Sequence, residues 1–218
     1  LKKSTYVNLR WIAILGQFIT INIVKFIFDF EFDFIIANIV VFFGVLSNLV
    51  LIFFFKKIEL PERASMYFLI IDILQLSFLL YLTGGTINPF SIFLLIPSIF
   101  AASSLNIKTN LFLFLLTFLS IINLSFFHQE LPAPLNKYIF NKYYYYSFPI
   151  ALIIALIFLN FFAFSFGKES RLRKEALDKL QEVMAKEHEL VSLGGQAAAA
   201  AHSLGTPLST IKIISREL

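Results

Sequence analysis

Three places in this 218-residue sequence hold residue types that could do chemistry. The first is His202, within AAAAAHSLGTPLSTI from Ala197 to Ile211. Alanine is the strongest helix former, so the imidazole should ride on a helix, with Thr206 one turn later on the same face and Pro207 loosening the helix just beyond. A lone histidine on a helix is most often structural. A neutral imidazole nitrogen is also a nucleophile near neutral pH, and the Ser203 hydroxyl beside it can hydrogen-bond but is a poor base. The second place is TGGTINPF, Thr83 to Phe90. Gly-Gly and Asn-Pro are turn dipeptides, so the plain reading is a tight turn. The same residues could also receive a small ligand at the bilayer surface: Gly84 and Gly85 allow close backbone approach, Asn88 offers amide donors, and Phe90 beside Pro89 offers an aromatic face. The third is Asp72, in the middle of an apolar run, where a carboxylate is costly. It should face the interior of a helix bundle, with Gln75 as an available partner, and it serves either an interhelical hydrogen bond or a function. No cysteine is present and the three histidines lie far apart, so disulfides, thiol redox chemistry and a metal site are not expected in this stretch.

These residues must be positioned by elements suited to lipid. The chain is 58% hydrophobic and 17% aromatic, with mean hydropathy +0.80 and only 15% charged residues; a soluble domain carries roughly a quarter charged residues. Apolar runs of about 17–25 residues are candidate membrane helices. Six are read here: Trp11–Phe28, Phe34–Phe55, Met66–Leu82, Phe90–Leu105, Leu111–Phe127 and Phe148–Phe166. The fourth is short and carries Pro97, which predicts a kink. Net charge is +4, but the basic residues gather at particular points, a pattern that orients helices rather than binding nucleic acid. Lys2, Lys3, Arg10, Lys56, Lys57, Arg63, Lys108, Lys168, Arg171, Arg173 and Lys174 fall on one side, against Lys137 and Lys142 on the other. Both ends are therefore expected in the cytoplasm. Lys25 should snorkel from the outer end of the first helix, His128 reads as a loop residue, and Tyr143 to Tyr146 suit an interfacial belt.

Composition changes abruptly at KESRLRKEALDKLQEVMAKEHELVSL, Lys168 to Leu193. One apolar seam runs through Leu177, Leu180, Met184 and Val191, and a rival through Ala176, Leu180, Val183 and Leu190, with Glu187 interrupting both. The stretch is either a parallel coiled coil able to change register or a single solvated helix. The segment after the last membrane helix is too short to bury a core alone, which calls for a second copy.

With these elements in place, two motifs resemble those of one family. His202, Leu204, Thr206, Pro207 and Leu208 match the H-box of histidine kinases in order and offset, and Gly205 in place of the usual Arg is the variant of the RegB/PrrB/ActS family of redox-responding sensor kinases. Gly84, Gly85, Asn88, Pro89 and Phe90 match that family's extracytoplasmic GG-x-x-NPF element, which the family associates with ubiquinone sensing. Together with the six helices, the resemblance covers nearly the whole sequence. It implies that His202 is the phosphoacceptor, attacking the γ-phosphate of ATP. It also implies that Thr206 helps position the water that later dephosphorylates the response regulator. The family usually has Glu directly after the histidine; here Ser203 replaces it. Nothing resembles the Asn-rich or Asp-Gly-x-Gly boxes of a nucleotide-binding domain, so ATP would be bound by a domain outside this stretch. The family's redox-active cysteine also lies beyond the H-box. The sequence, opening on Leu1 and ending within a helical pattern, reads as a piece of a longer protein.

The expected architecture is all-α: a six-helix transmembrane sensor over 1–166, a coiled-coil linker over 167–193, and the start of a dimerisation and phosphotransfer domain over 194–218. The expected function is a bacterial inner-membrane sensor histidine kinase, homodimeric, reading quinone redox state and passing phosphate to a response-regulator receiver domain, with no metal and no nucleic-acid partner. Two alternatives stand beside it. One is a receptor kinase of this architecture for another lipid or small molecule. The other is a small transporter with a coiled-coil tail, against which stand the lack of an internal repeat and the few intramembrane charges.

Overall fold

Runs of Phe, Ile and Leu without interruption by charge leave backbone polar groups no partner in lipid except each other, so helices are the available solution. The computed structural model describes the backbone of residues 2–55, 57–135 and 141–217, and their side chains apart from 142, 202, 206, 208–214, 216 and 217. Among the described residues there is no strand. The elements are α1 (Lys3–Phe26), α2 (Phe34–Phe54), α3 (Glu62–Tyr81), two 3₁₀ segments (Gly85–Ile87 and Pro89–Leu94), α4 (Leu95–Ser104), α5 (Ile107–Phe126) and α6 (Lys142–Glu217). The chain divides into two units, Leu1–Lys168 and Glu169–Leu218.

In the first unit, four whole helices and the first part of α6 are long and apolar enough to cross a membrane. Their outer faces are apolar too: Ile12, Phe43, Phe53 and Phe161 are 66–71% exposed. A water-soluble surface does not carry so much contiguous apolar area; lipid covers it. The core runs through Leu51, Leu69, Ile73, Leu80, Leu94, Leu113, Ile121 and Leu156, all essentially inaccessible.

Each of the six expected runs lies on a helical segment, overrunning its end by no more than two residues, but three details differ. The fourth run is shorter than the rest as a helix, spanning Pro89–Ser104, and it opens as 3₁₀ before becoming α at Leu95. Pro97 therefore lies in the first turn of α4, where its missing N–H costs least. The expected kink becomes a change of helix type. Because a 3₁₀ turn rises about 2.0 Å per residue against 1.5 Å, the segment still extends about 27 Å. Second, α1 begins eight residues before its apolar run, so Tyr6 and Arg10 belong to the helix and are buried. Third, Tyr143 to Tyr146 form the first turns of α6 rather than preceding it.

Loop contacts hold the two ends of this bundle. At one end, here the linker end, Lys3 Nζ donates to the carbonyls of Ile52 (2.8 Å) and Phe55, the last turn of α2, where a cation also meets the negative end of the helix dipole. Glu62 Oε1 accepts from Thr109 Oγ1 (2.7 Å) and Asn106 N (3.3 Å), joining the starts of α3 and α5, and Asn106 caps α5 through Thr109 N at 2.9 Å. At the opposite, loop end, Gln129 N donates to Tyr81 O (2.8 Å) and Glu31 N to Ala133 O (3.2 Å), while Gln129 Nε2 reaches Asp33 Oδ2 at 3.3 Å. Lys25 stays at this end, donating to Phe30 O at 3.3 Å.

The second unit is helical throughout its described length. Its i,i+4 pairs Glu169–Arg173 (2.6 Å) and Glu182–Lys186 (2.8 Å) are exposed and add only a few tenths of a kcal/mol each, roughly. Leu177, Leu180, Met184 and Val191 are 56–68% exposed. An apolar seam lies bare.

Candidate functional site

Thr83–Phe90 folds as a packed turn, with Gly84, Gly85, Thr86 and Ile87 buried. It is not the surface turn expected from its dipeptides. Gly84 (φ 103°) and Gly85 (φ 62°) are both left-handed, which L-residues adopt only at a cost. A Cβ on Gly85 would stand 2.5 Å from Leu124 O and 2.6 Å from the His128 ring; one on Gly84 would meet the Leu131 side chain at 2.5 Å. The close approach that glycine permits here is made by α5 and the segment after it. His128, whose Nδ1 lies 2.8 Å from Gln129 O, is part of that cover.

Asn88 holds the turn together. Its Nδ2 donates to Thr83 O (3.0 Å) and Thr83 Oγ1 (2.7 Å), and its Oδ1 caps the following 3₁₀ segment by accepting from Phe90 N at 2.9 Å. Ser91 Oγ adds a bond to Thr86 O at 3.0 Å. The amide donors expected to face a ligand are thus committed within the loop. Pro89 and Phe90 remain exposed, the Phe90 ring stacked on Phe93 at 6.1 Å. An open groove of about 640 Å³ lies at this end between α5 and α6, lined by Ser125, Phe126, Tyr145, Tyr146 and Pro149 among others.

Gly85→Ala should lower stability by about 2 kcal/mol or more, from left-handed strain plus overpacking against a helix carbonyl that cannot move cheaply. Gly84→Ala carries strain from its φ of 103° but should cost less, since its two closest contacts, at 2.5 and 2.9 Å, are with the movable Leu131 side chain and the Leu131 Cα stands at 3.4 Å. Thermal unfolding in lipid nanodiscs checks the order. Equal shifts for the two would mean that the cover over Gly85 is loose.

Asp72 does face the bundle interior, but its partners are Arg10 and Tyr6 rather than Gln75. Arg10 Nη2 and Nε lie 2.7 and 2.9 Å from Asp72 Oδ1, Tyr6 OH donates to Oδ2 at 2.6 Å, and Arg10 Nη2 also reaches Ser47 Oγ at 2.8 Å. The guanidinium lies between the rings of Tyr6 and Phe68, 5.6 and 5.4 Å from their centroids, an arrangement that suits a desolvated cation. Gln75 instead donates to Gln17 Oε1 at 3.0 Å, against Gly44. The sequence reading placed Arg10 among the orienting loop charges, because the apolar run begins at Trp11. The signal that could have found it is Tyr6 and Arg10 at i,i+4, facing a bundle known to contain one acid.

A second polar cluster joins α4, α5 and α6. Asn160 Nδ2 donates to Ser98 Oγ (3.0 Å), Ser98 O (3.3 Å) and Asn110 Oδ1 (3.2 Å), and Asn110 Nδ2 donates to Asn160 Oδ1 at 3.2 Å. All three residues are buried. Such amide contacts are the usual adhesive between helices in lipid, worth about 0.6 kcal/mol on average.

His202 and Thr206 lie on the helical backbone of the second unit, while their side chains lie outside the described residues. Helix is assigned through Pro207 to Glu217. Ser203 is described: its hydroxyl donates to Ala200 O at 2.9 Å, which leaves its lone pairs as acceptors for a neighbouring imidazole N–H. Leu204, Gly205 and Pro207 are exposed. Among the described residues no group of histidine and acidic side chains could hold a metal.

No family model matches the chain, and no solved structure matches it. Among curated proteins, the sensor histidine kinase RegB of Cereibacter sphaeroides is 32% identical over 216 residues, covering 98% of this chain and 47% of that protein. A second Cereibacter sphaeroides sensor histidine kinase RegB is 42% identical over 73 residues, covering 34% of this chain and 16% of that protein. The chain thus spans about half the length of the longer match.

Proposed function

The chain belongs to the RegB family, and from that premise we propose that it is the membrane sensor and phosphoacceptor helix of a redox-responding histidine kinase. The observation that carries the proposal is similarity across 98% of the chain, together with the two motifs at its working ends, the Gly84–Phe90 turn and the His202 box. In this reading the bundle senses quinone redox state, and His202 takes the γ-phosphate of ATP held by a domain outside this chain. The phosphate then passes to an aspartate on a response-regulator receiver domain. The bundle crosses the bacterial inner membrane six times with both ends cytoplasmic, the fourth crossing being Pro89–Ser104. Its length of about 27 Å and the basic-residue bias support that topology. Reporter fusions after Lys57 and after Asn88 should read cytoplasmic and outside, respectively.

The test is phosphorylation of the full-length protein in membrane vesicles. ATP should yield acid-labile, base-stable phosphate, at a rate that changes severalfold between oxidised and reduced ubiquinone analogues. Labelling indifferent to quinone would remove the quinone and leave a receptor kinase for another lipid. Phe90→Ala is the better probe of ligand contact, because its ring is exposed, whereas Asn88→Ala also removes three bonds that hold the turn. Quinone response unaltered by Phe90→Ala would place the ligand elsewhere.

The bare seam of the second unit supports a parallel homodimer, since a lone helix cannot bury Leu177, Leu180 and Met184. Single cysteines at these positions should crosslink between copies in membranes, and Asp178→Cys should crosslink several times more slowly. Equal rates would argue against a seam.

A further inference from the structure

Two observations meet on α4. On one side, Phe100 packs its ring 6.0 Å from that of Tyr6, the residue whose hydroxyl holds Asp72. On the other, Ser98 accepts two bonds from Asn160 of α6. About two helical turns further along α6, at the linker end, Gly167 lies so close to α4 that a Cβ there would fall 2.3 Å from Ser103 O and 2.8 Å from Ser103 C and Cα. Those are backbone atoms, so no side-chain rotation relieves the clash.

The buried face of α6 makes the arrangement directional. Leu152, Leu156, Asn160, Ala163 and Gly167 are buried at spacings of four, four, three and four, a single narrow stripe. It tapers from leucines to small residues as it nears the linker end. Gly167 faces Ser103 and Asn160 bonds Ser98 on α4, a small-residue contact and a polar one of the kinds by which membrane helices fix register. At its other end α4 continues from the 3₁₀ segment Pro89–Leu94, whose cap is Asn88. The helix that starts in the Gly84–Phe90 turn is the one that grips α6 just before the linker.

We infer that α4 is the coupling element of the sensor, and that Asn160 and Gly167 are positioning residues that set the register of α6 against it. The inference rests on the kinase reading and adds the route within the bundle. A displacement of the turn moves α4, and the Ser98–Asn160 bonds and the Gly167–Ser103 contact carry that movement to α6. The same helix continues toward His202. Coupling of this kind requires more than intermediacy between two sites, so the test locks the α4–α6 contact directly.

The experiment uses the full-length kinase in membrane vesicles, with Ser98→Cys and Asn160→Cys combined. Their side chains touch, and this stretch has no cysteine of its own. A mild oxidant should join the pair, as read by mass spectrometry of the digested protein, whatever the kinase does. Phosphorylation is then read with and without quinone, before and after reductant, with each single-cysteine variant as control. The joined protein should phosphorylate at one fixed rate, at least five-fold less responsive to quinone than the reduced form. Gly167→Ala should shift the rate without quinone five-fold or more, while lipid-facing Phe161→Ala stays within two-fold. Failure to crosslink, or a crosslinked protein with full response and a Gly167→Ala protein with wild-type rate, overturns the inference. A kinase that ignores quinone yet changes rate on crosslinking keeps the coupling element and removes only the quinone.

Discussion

Replacing His202 with alanine in the full-length protein is expected to abolish phosphate labelling, a loss limited only by the detection floor. In the proposed kinase the nucleophile is a neutral nitrogen presented to the γ-phosphate, and the nearby side chains are poor substitutes. Ser203 is not activated by a base; its proton is already shared with Ala200 O at 2.9 Å. His188 is nearly four turns away along the same helix. Where the family usually has a carboxylate after the histidine, Ser203 supplies no charge to raise imidazole basicity. Ser203→Glu should therefore accelerate labelling by roughly ten- to a hundred-fold, the upper figure being the low end of what a positioned acid–base group contributes. Ser203→Ala should change it little. Acid-labile phosphate that persists in His202→Ala would identify a different acceptor, and an unaltered rate in Ser203→Glu would show that the carboxylate is dispensable here.

The second large effect concerns the buried ion pair. Arg10→Ala leaves Asp72, with a side chain only 20% exposed, facing apolar surroundings without its cation. Removing one partner of a buried pair costs about 3–5 kcal/mol, and a charged residue at the centre of a membrane helix costs about 2.5–3.5 kcal/mol on insertion scales. Arg10→Ala and Asp72→Ala should each lower bundle stability by about 3 kcal/mol or more. Arg10→Met with Asp72→Leu should recover most of that loss, because the desolvation of both charges disappears together. Tyr6→Phe should cost less, about 1.5–3 kcal/mol, the usual range for a hydrogen bond to a charged group. Denaturant titration in mixed micelles reads all four. A double variant as unstable as the sum of the singles would show that the two residues do not act as a pair.

These variants also bear on topology. If Arg10 is neutralised inside the bundle, it contributes little as an orienting charge; Lys3, which caps α2 through Ile52 and Phe55, is likewise occupied. The basic bias at the start of the chain then rests more on Lys2, and Lys56, Lys57, Arg63, Lys108 and the cluster from Lys168 to Lys174 carry the rest.

Much of the architecture was legible because lipid imposes one rule. Backbone groups must be satisfied within a segment, so length and hydropathy alone located α2, α3, α5 and the membrane part of α6 to within a few residues. The break to charged, helix-forming residues at Lys168 coincides with the division into units at Glu169, since composition changes where the solvent changes. The turn at Thr83–Phe90 followed from its Gly-Gly and Asn-Pro dipeptides, and the helix over Ala197–Ile211 from its run of alanines.

What only the tertiary structure decided is pairing. A hydropathy window ends a helix at its last charge, so it excluded Arg10 from α1 and gave Asp72 a polar neighbour on its own helix. The energy that places Arg10 inside comes from an acid 62 residues away, which no local pattern encodes. Asn88 reads as a ligand donor until Thr83 and Phe90 are seen to use its whole amide. Gly167 reads as a mere end of an apolar run until Ser103 is found against it. The sequence by itself determined which segments are helices and which solvent each one meets, because those follow from free energies summed along the chain. Which polar groups meet across the bundle was decided by tertiary structure, because a buried donor or charge is stabilised only by the particular partner that packing brings within about 3 Å.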